Sequence, residues 1–502
     1  MALTTPTAAH DSGPAASSDS HSRGWVPLAI LLVVATLLRV YRLNQQVWHD
    51  EVSILGSSLR RPLLEIVTQW PGPASHILFE ASARMSIVVF GEAPFALRLP
   101  AALFGIAGVA AFYWLALLIF RRDHAFAISA LYALSYHHVW FSQNARGYTA
   151  MMLFFVLVSA QLIRFWQSGR IRRSEGIAYA LTGALVSYSH PVGMSIVPVQ
   201  VAVVGIAWWL AHRSGRGGGF PLAAYLRYAA LSFVATALFY LPFVPSIMRY
   251  TRDLAAMPGS GPRVGLGLVR VLVEGLSAAF LGIGGVAVAA AIGMVGLLVW
   301  YRRHPFALAT LLLPLLAQGM VFVTLGIGIY PRYFAMALPV VVLIGGTGVL
   351  TLVRAGAQRL PLRPGTRLRV EYGVLAGVVL LSALPLIPYY RAPKQDYLGA
   401  IHTVNALAAP GDIKAGVYLA EHIINGFYNA GFAAVETYPD LLRVEEEGRR
   451  VWLVTTLERL LYIEDPALFE HIQRHYRLVT VLPATLGDGQ MRIYERDLAG
   501  GG

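Results

Sequence analysis

Two carboxylates stand side by side at Asp50 and Glu51, in the stretch RLNQQVWHDEVSIL (residues 42–55), directly after an apolar run. Adjacent acids beside a lipid boundary are costly unless they are solvated, paired or used. The bland reading is a solvated pair that ends the first apolar helix. The chemical reading is that Asp50 is a general base for a hydroxyl or amine nucleophile, with Glu51 as its companion. Trp48 suits the headgroup level of a membrane, and an apolar-periodic stretch follows the acids, so an interfacial helix would hold them. Arg146 in SQNARGY (142–148) and Arg332 in IYPRYF (329–334) each open an apolar run. A guanidinium at such a place either snorkels to the interface or binds a phosphate with two parallel hydrogen bonds. Two of them on separate spans favour the phosphate, with Tyr333 beside Arg332. His49, His76, Tyr148, His190, Arg249 and Lys394 are further candidates for substrate contact. The ordinary alternatives for these are a solvated loop cation and, for His190 before a proline, a hydrogen-bonded helix end.

Other chemistries find no motif. There is no P-loop, no GxGxxG after a strand, no HExxH and no GxSxG. The pair His137–His138 lies inside an apolar run without a third ligand nearby, so no metal site is read there. GIGG at 282–285 reads as helix packing by small residues.

The elements that must position these residues follow from composition. The chain has 502 residues, 56% hydrophobic and 13% charged, and a mean hydropathy of +0.57. A soluble domain carries roughly twice that share of charge, about 25%, so this is a multi-pass membrane protein. Cysteine is absent, which removes disulfides, thiol nucleophiles and thiolate metal sites together. The net charge is +13, and all but Lys394 and Lys414 of the 40 basic side chains are arginine. That excess fits cytoplasmic loops lying against anionic lipid and implies no nucleic acid.

Residues 1–24 read as a disordered cytoplasmic tail, and 25–41 as a retained span. Further spans of roughly the needed 20 residues lie at 94–120, 124–142, 146–167, 175–192, 194–211, 225–247, 281–300, 305–328, 332–353 and 371–390. Two more apolar stretches, 74–90 and 264–280, carry charges and suit the interface; counting both as spans raises the total from 11 to 13. With 11 spans the basic loops at 121–124, 167–173, 211–219, 301–304 and 354–369 all fall on the cytoplasmic side. Asp50, Arg146, His190, Arg249 and Arg332 then share the outer face, as does everything after residue 390. In 391–502, short β-type runs at 412–420, 450–456, 476–483 and 490–497 alternate with helical patterns, which predicts a small outer-face α/β domain. Residues 25–390 form the polytopic domain in this division.

WHDE after a first span is similar to the acidic first-loop motif of the polytopic C-type glycosyltransferase superfamily. FGEAPFALRLPAALFGIAGVAAFYWLALLIF (90–120), YHHVWFSQNARGYTAMMLFF (136–155) and PRYFAMALP (331–339) extend the likeness. They resemble the bacterial branch related to dolichyl-phosphate-mannose protein mannosyltransferases and lipid A aminoarabinose transferases. The resemblance runs from about residue 25 to 350 and implies sugar transfer from a polyprenyl-phosphate donor, hexosyl or pentosyl, to a lipid, polysaccharide or protein acceptor. It implies a bacterial inner membrane, the C-terminal domain on the periplasmic or extracellular side, Asp50 as the first-loop acid, and Arg146 and Arg332 on the donor phosphate. Two departures stand out. The second outer loop reads SQNARG, with Asn144 and no carboxylate, so no cofactor is expected and a divalent metal finds little support. The proline pair of the second interfacial helix reads PGPASH, with His76 close by. The rival reading is a transporter or flippase of lipid-linked sugars, which predicts mid-membrane ionisable groups and repeat symmetry; neither is evident.

Overall fold

The computed structural model describes residues 25–70, 72, 75–215, 219–255, 273, 276–277, 280, 282–324 and 331–497. The tail 1–24 and most of the ambiguous stretch 264–280 lie outside the described residues. The chain divides into two compact units.

The first unit comprises Met1–Leu43, Arg61–Gly91 and Arg98–Pro385 and is a helical bundle. Among the described residues eight helices are long and apolar enough to cross a membrane: Pro94–Leu117, Tyr148–Ser168, Pro191–Arg213, Leu222–Tyr250, Ile283–Arg303, Pro305–Phe322, Ala337–Arg359 and Pro364–Arg391. Val26–Val40, at 15 residues, is a shorter apolar helix. The chain is a multi-pass membrane protein. Ile77–Phe90 has 14 residues, a rise of about 21 Å against a hydrocarbon core of about 30 Å. That length suits an interfacial helix, as its charges suggest.

The expected span 124–142 differs: it divides into Arg122–Leu134 and Tyr136–Ser142. The break falls at Ser135, whose hydroxyl accepts the backbone N–H of His138 and so starts a new helix. Arg39, fully buried at the end of Val26–Val40, braces this break. Its guanidinium donates to the carbonyls of Ala35 (3.0 Å) and Ala133 (3.3 Å), to Ser142 Oγ (3.2 Å) and to His138 Nδ1 (2.6 Å). Gln143 follows, donating Nε2 to the carbonyls of Leu38, Arg39 and Tyr41 at 3.2, 3.0 and 2.7 Å. The last carbonyls of a helix have no partner within it. One amide therefore closes the first helix and fixes the chain just ahead of Arg146.

Polar bonds also join the bundle's interior. Tyr179 Oη meets Gln200 Oε1 and Tyr225 Oη, each at 3.0 Å, and Gln200 Nε2 donates to Ser159 Oγ at 3.2 Å. Glycine sets the approach of Ile283–Arg303 to Ala337–Arg359. A Cβ at Gly296 would lie 1.9 Å from the Ile344 carbonyl oxygen, and one at Gly348 would lie 2.0 Å from that of Ile292. Close backbone contact through small residues is how helices pack in lipid, and here it seats the helix that follows the turn carrying Arg332.

The second unit comprises Asn44–Arg60, Glu92–Leu97 and Leu386–Gly502. It contains a five-stranded mixed sheet: β1 Ile413–Val417, β2 Ala433–Val435, β3 Val451–Thr455, β4 Arg477–Leu482 and β5 Met491–Arg496, in the order β2-β1-β3-β5-β4. β1 is parallel to β2 and β3, while β5 is antiparallel to β3 and β4. Alternate residues serve opposite faces, as the strand period requires. Trp452, Val454, Met491 and Ile493 pack with helices Tyr397–Leu407 and Leu419–Ile424. Val451, Leu453 and Tyr494 face the helices Tyr438–Glu445 and Pro466–His475 on the other side. Four of the strands match the expected runs, and β2 is additional.

The acidic helix His49–Ile54 belongs to this second unit, where Val52 packs against the first of these two faces. It passes into a π-helical turn, Leu55–Leu59. Arg60 then pairs with Glu92 at 2.9 Å.

Replacing Arg39 with methionine leaves the Ala133 carbonyl and His138 unsatisfied inside the bundle. The loss should be about 2–4 kcal/mol, read as a lower thermal midpoint in detergent. An unchanged midpoint contradicts the bracing role.

Candidate functional site

In the second unit the carboxylates are held differently from one another. Glu51 is fully buried; its Oε2 accepts the Trp48 N–H at 3.3 Å, the reciprocal bond of a helix start. Its Oε1 lies 3.9 Å from Lys394 Nζ, and both side chains are almost wholly buried. Lys394 Nζ also stands 5.7 Å from the Trp48 ring centroid, within cation–π range. The residues after Lys394 continue the junction. Gln395 Oε1 accepts the His49 N–H at 2.9 Å, and its Nε2 donates to Thr456 Oγ1 at 2.9 Å. Asp396 Oδ1 accepts from Gln46 Nε2 at 2.6 Å.

Asp50 remains half-buried on the first turn of this helix. Its charge reaches Tyr397, whose hydroxyl is pushed well up by burial first, then by Tyr428 and by Asp50. The local geometry thus separates the two acids. Glu51 is paired with a buried cation, and Asp50 is half-buried.

In the first unit a second cluster forms around His76. The residue is buried at the head of helix Ile77–Phe90, and its own N–H donates to Glu80 Oε1 at 2.8 Å. Its ring meets those of Tyr148 at 4.6 Å and His190 at 4.7 Å, both edge-on. Tyr333 stands 6.1 Å from His190. Burial pushes the His76 pKa well below the usual histidine range, and His190, Arg146 and Arg332 push the same way; the Ser189 backbone, accepting from the ring, opposes them. Burial alone lowers His190 to about 4. Both imidazoles are neutral at pH 7.

Several elements fix this cluster. Gln318 Nε2 donates to the Tyr333 carbonyl at 2.7 Å, holding the 3-10 turn Pro331–Phe334 that carries Arg332 and Tyr333. Trp70, Tyr188, Tyr240 and Phe243 pack beneath Ile77. Gly147 leaves room for His76: a Cβ there would sit 2.7 Å from His76 Cβ and 2.9 Å from its Nδ1.

The structure therefore brings together Arg146, Arg332, Tyr333, His76, Tyr148 and His190 within the first unit, and Asp50, Glu51, His49 and Lys394 within the second. Arg249 is exposed on helix Val244–Ala255, and no described contact joins it to either group. Gln143, Gly147, Gln318 and Gln395 were not among the residues singled out by sequence. Gln143 and Gly147 flank Arg146 in SQNARGY; the other two carried no local signal. Glu421, His422 and Glu436 also bring three ligand atoms within 4.8 Å of one another. Glu421 is engaged by Asn425 Nδ2 at 3.1 Å, and exposed groups of this kind are common without an ion.

By fold, the chain is a polytopic membrane protein whose helical bundle is accompanied by a mixed α/β unit. Solved structures share that fold over nearly the whole chain. ArnT from Cupriavidus metallidurans matches with a TM-score of 0.56 at 15% identity, covering 96% of this chain and 99% of that one. The same enzyme bound to undecaprenyl phosphate matches at 0.55. The archaeal oligosaccharyltransferase AglB from Archaeoglobus fulgidus, in complex with an inhibitory peptide and a dolichol-phosphate, matches at 0.56 and 12% identity, covering 95% and 74%. These neighbours are C-type glycosyltransferases, so the resemblance read from the sequence holds at the level of fold. No protein-family model matches the sequence, and no curated protein matches it.

Two outcomes follow from the His76 cluster. Gly147→Ala overpacks His76 and should lower stability by about 1–3 kcal/mol, whereas Gly205→Ala, with open space at its Cβ, should leave the thermal midpoint unchanged; equal midpoints for the two variants contradict the packing. His190 takes up its proton near 6.5 when unfolded and about 4 when folded. The unfolded chain therefore binds protons first, and stability falls as pH drops from about 6.5 towards 4. Thermal midpoints measured across that range should flatten in His190→Gln; an equal slope in the variant contradicts it.

Proposed function

We propose that this chain is a membrane glycosyltransferase that moves a sugar from a polyprenyl-phosphate donor to an acceptor on the extracytoplasmic face of a bacterial plasma membrane. The observation that carries this reading is the convergence of Arg146 and Arg332 on one buried cluster, in a fold shared with ArnT bound to undecaprenyl phosphate. In this reading the N-terminus is cytoplasmic, and the C-terminal unit lies outside. The sugar is a hexose or a pentose, and the acceptor is a lipid, polysaccharide or protein.

The reaction is a single in-line displacement. Asp50 takes the proton of the acceptor hydroxyl, whose oxygen attacks the anomeric carbon from the face opposite the phosphate. The bond from that carbon to the phosphate oxygen breaks, and its electron pair leaves with the lipid phosphate, so the configuration inverts. Arg146 and Arg332 stabilise the charge gathering on the departing phosphate, with Tyr333 beside them. Fixed donors of this kind are each worth about 10²–10³ in rate. Glu51, tied to Lys394, positions the helix that presents Asp50. His49, Tyr148, His76 and His190 are substrate-contact residues, with the exposed Arg249 a peripheral one. Asn144 stands where a carboxylate would be needed, a poor setting for a divalent cation, and no step is routed through one. No observation favours the transporter reading.

The test uses the purified full chain in nanodiscs with a panel of undecaprenyl-phosphate sugars. Wild type should consume one donor, while Asp50→Asn and Arg332→Ala should each lose about 10²–10³ in turnover with thermal midpoints close to wild type. Asp50→Asn turning over at the wild-type rate would remove Asp50 as the base. Donor crossing the bilayer uncleaved would replace the transferase with a flippase.

A further inference from the structure

The histidine pair carries more than its place in the cluster, because its hydrogen bonding fixes what it offers. His190 Nδ1 accepts the Val192 backbone N–H at 3.2 Å, so its one proton sits on Nε2. His76 donates to the Ser189 backbone while its Nδ1 has no partner, so that proton sits on Nε2 and Nδ1 is an acceptor. Among the described residues, His190 Nε2 and His76 Nδ1 are both buried without a hydrogen-bond partner. Both residues are at most 3% exposed. Buried polar atoms left unmatched are costly and rare, and two in adjoining rings call for a ligand.

What is offered is one donor and one acceptor on rings 4.7 Å apart. A phosphate oxygen satisfies the donor but repels the lone pair of Nδ1. A metal ion needs the Nε2 lone pair of His190, where the proton sits, and would meet Arg146 and Arg332. A hydroxyl satisfies both atoms, since it accepts and donates, and a single oxygen spans nitrogens up to about 6 Å apart. Gly147 packs its backbone closely beside His76, where a Cβ would stand 2.9 Å from Nδ1, so the ring is held in one place.

We propose that His76 and His190 are the specificity pair of this site: together they bind one hydroxyl of the sugar carried on the lipid phosphate, His190 Nε2–H donating to it and His76 Nδ1 accepting from it. This rests on the reading that Arg146 and Arg332 hold the donor phosphate. The guanidiniums recognise the charged half of the ligand, and the neutral histidines the polyol half.

Asparagine places its amide where Nδ1 was, and glutamine places it where Nε2 was. The test measures binding of undecaprenyl phosphate and of its glucosyl, mannosyl and arabinosyl forms to the full chain in nanodiscs, without acceptor. Wild type should bind one of the sugar forms about ten- to a hundredfold more tightly than undecaprenyl phosphate, the worth of a matched buried pair. His190→Gln and His76→Asn should keep most of that increment. His190→Asn and His76→Gln should abolish it while binding undecaprenyl phosphate within about threefold of wild type. A purely structural role gives the opposite pattern, because the Val192 contact needs Nδ1 and the Ser189 contact needs Nε2. That opposite pattern, equal effects of all four variants, or an effect seen only on acceptor KM would each overturn the proposal. Wild type binding none of the lipids would instead overturn the donor reading, and this inference with it.

Discussion

A buried carboxylate and a buried ammonium, Glu51 and Lys394, stand 3.9 Å apart within the second unit, and much of its organisation follows from that. Either charge alone in that place would cost several kcal/mol, so each requires the other. The requirement joins a short helix near the start of the chain to a segment hundreds of residues further along. Gln395 and Asp396 then take up the polar groups of His49 and Gln46, and Val52 completes the apolar side of the contact. A six-residue helix has little stability of its own; docked in this way it holds Asp50 in a fixed, half-buried place.

The first unit meets a related constraint by other means. It buries a guanidinium at Arg39 and satisfies it with carbonyls, a hydroxyl and an imidazole, with no carboxylate among these partners. Gln143 turns the end of the first helix into a fixed start for the segment that bears Arg146. Around His76 the balance is reversed. Two imidazoles are kept neutral by burial, so the positive charge there resides on arginines that cannot lose it at physiological pH. A leaving phosphate benefits from such a setting: charges that are already oriented stabilise it without reorganisation.

Much of this was legible in sequence, for identifiable reasons. Spans are written as long apolar runs, so most of the helices appear near their expected places. The acid pair and the paired arginines were visible because charge next to lipid is conspicuous. Strands β1, β3, β4 and β5 carry enough β-branched and apolar residues to be read, whereas β2 has three residues and no pattern. The break at Ser135 was not foreseen, because one hydroxyl does not interrupt an apolar run. The sequence gives no sign of the Lys394 pairing, because its partner Glu51 is a carboxylate hundreds of positions away. Pairings of that kind leave no periodicity. The roles of Gln143, Gln318 and Gly147 are likewise set by what folds against them.

In the proposed reaction the two acids divide the labour: Asp50 performs the chemistry and Glu51, through Lys394, holds it in place. The most direct measurement is donor turnover by Glu51→Gln/Lys394→Met beside Lys394→Met, Asp50→Asn and wild type, with folding checked for each. The double variant removes both charges and should stay within about tenfold of wild type, ahead of Lys394→Met, which strands a buried carboxylate. A double variant that is folded yet as inactive as Asp50→Asn would contradict that division and move the chemistry to Glu51.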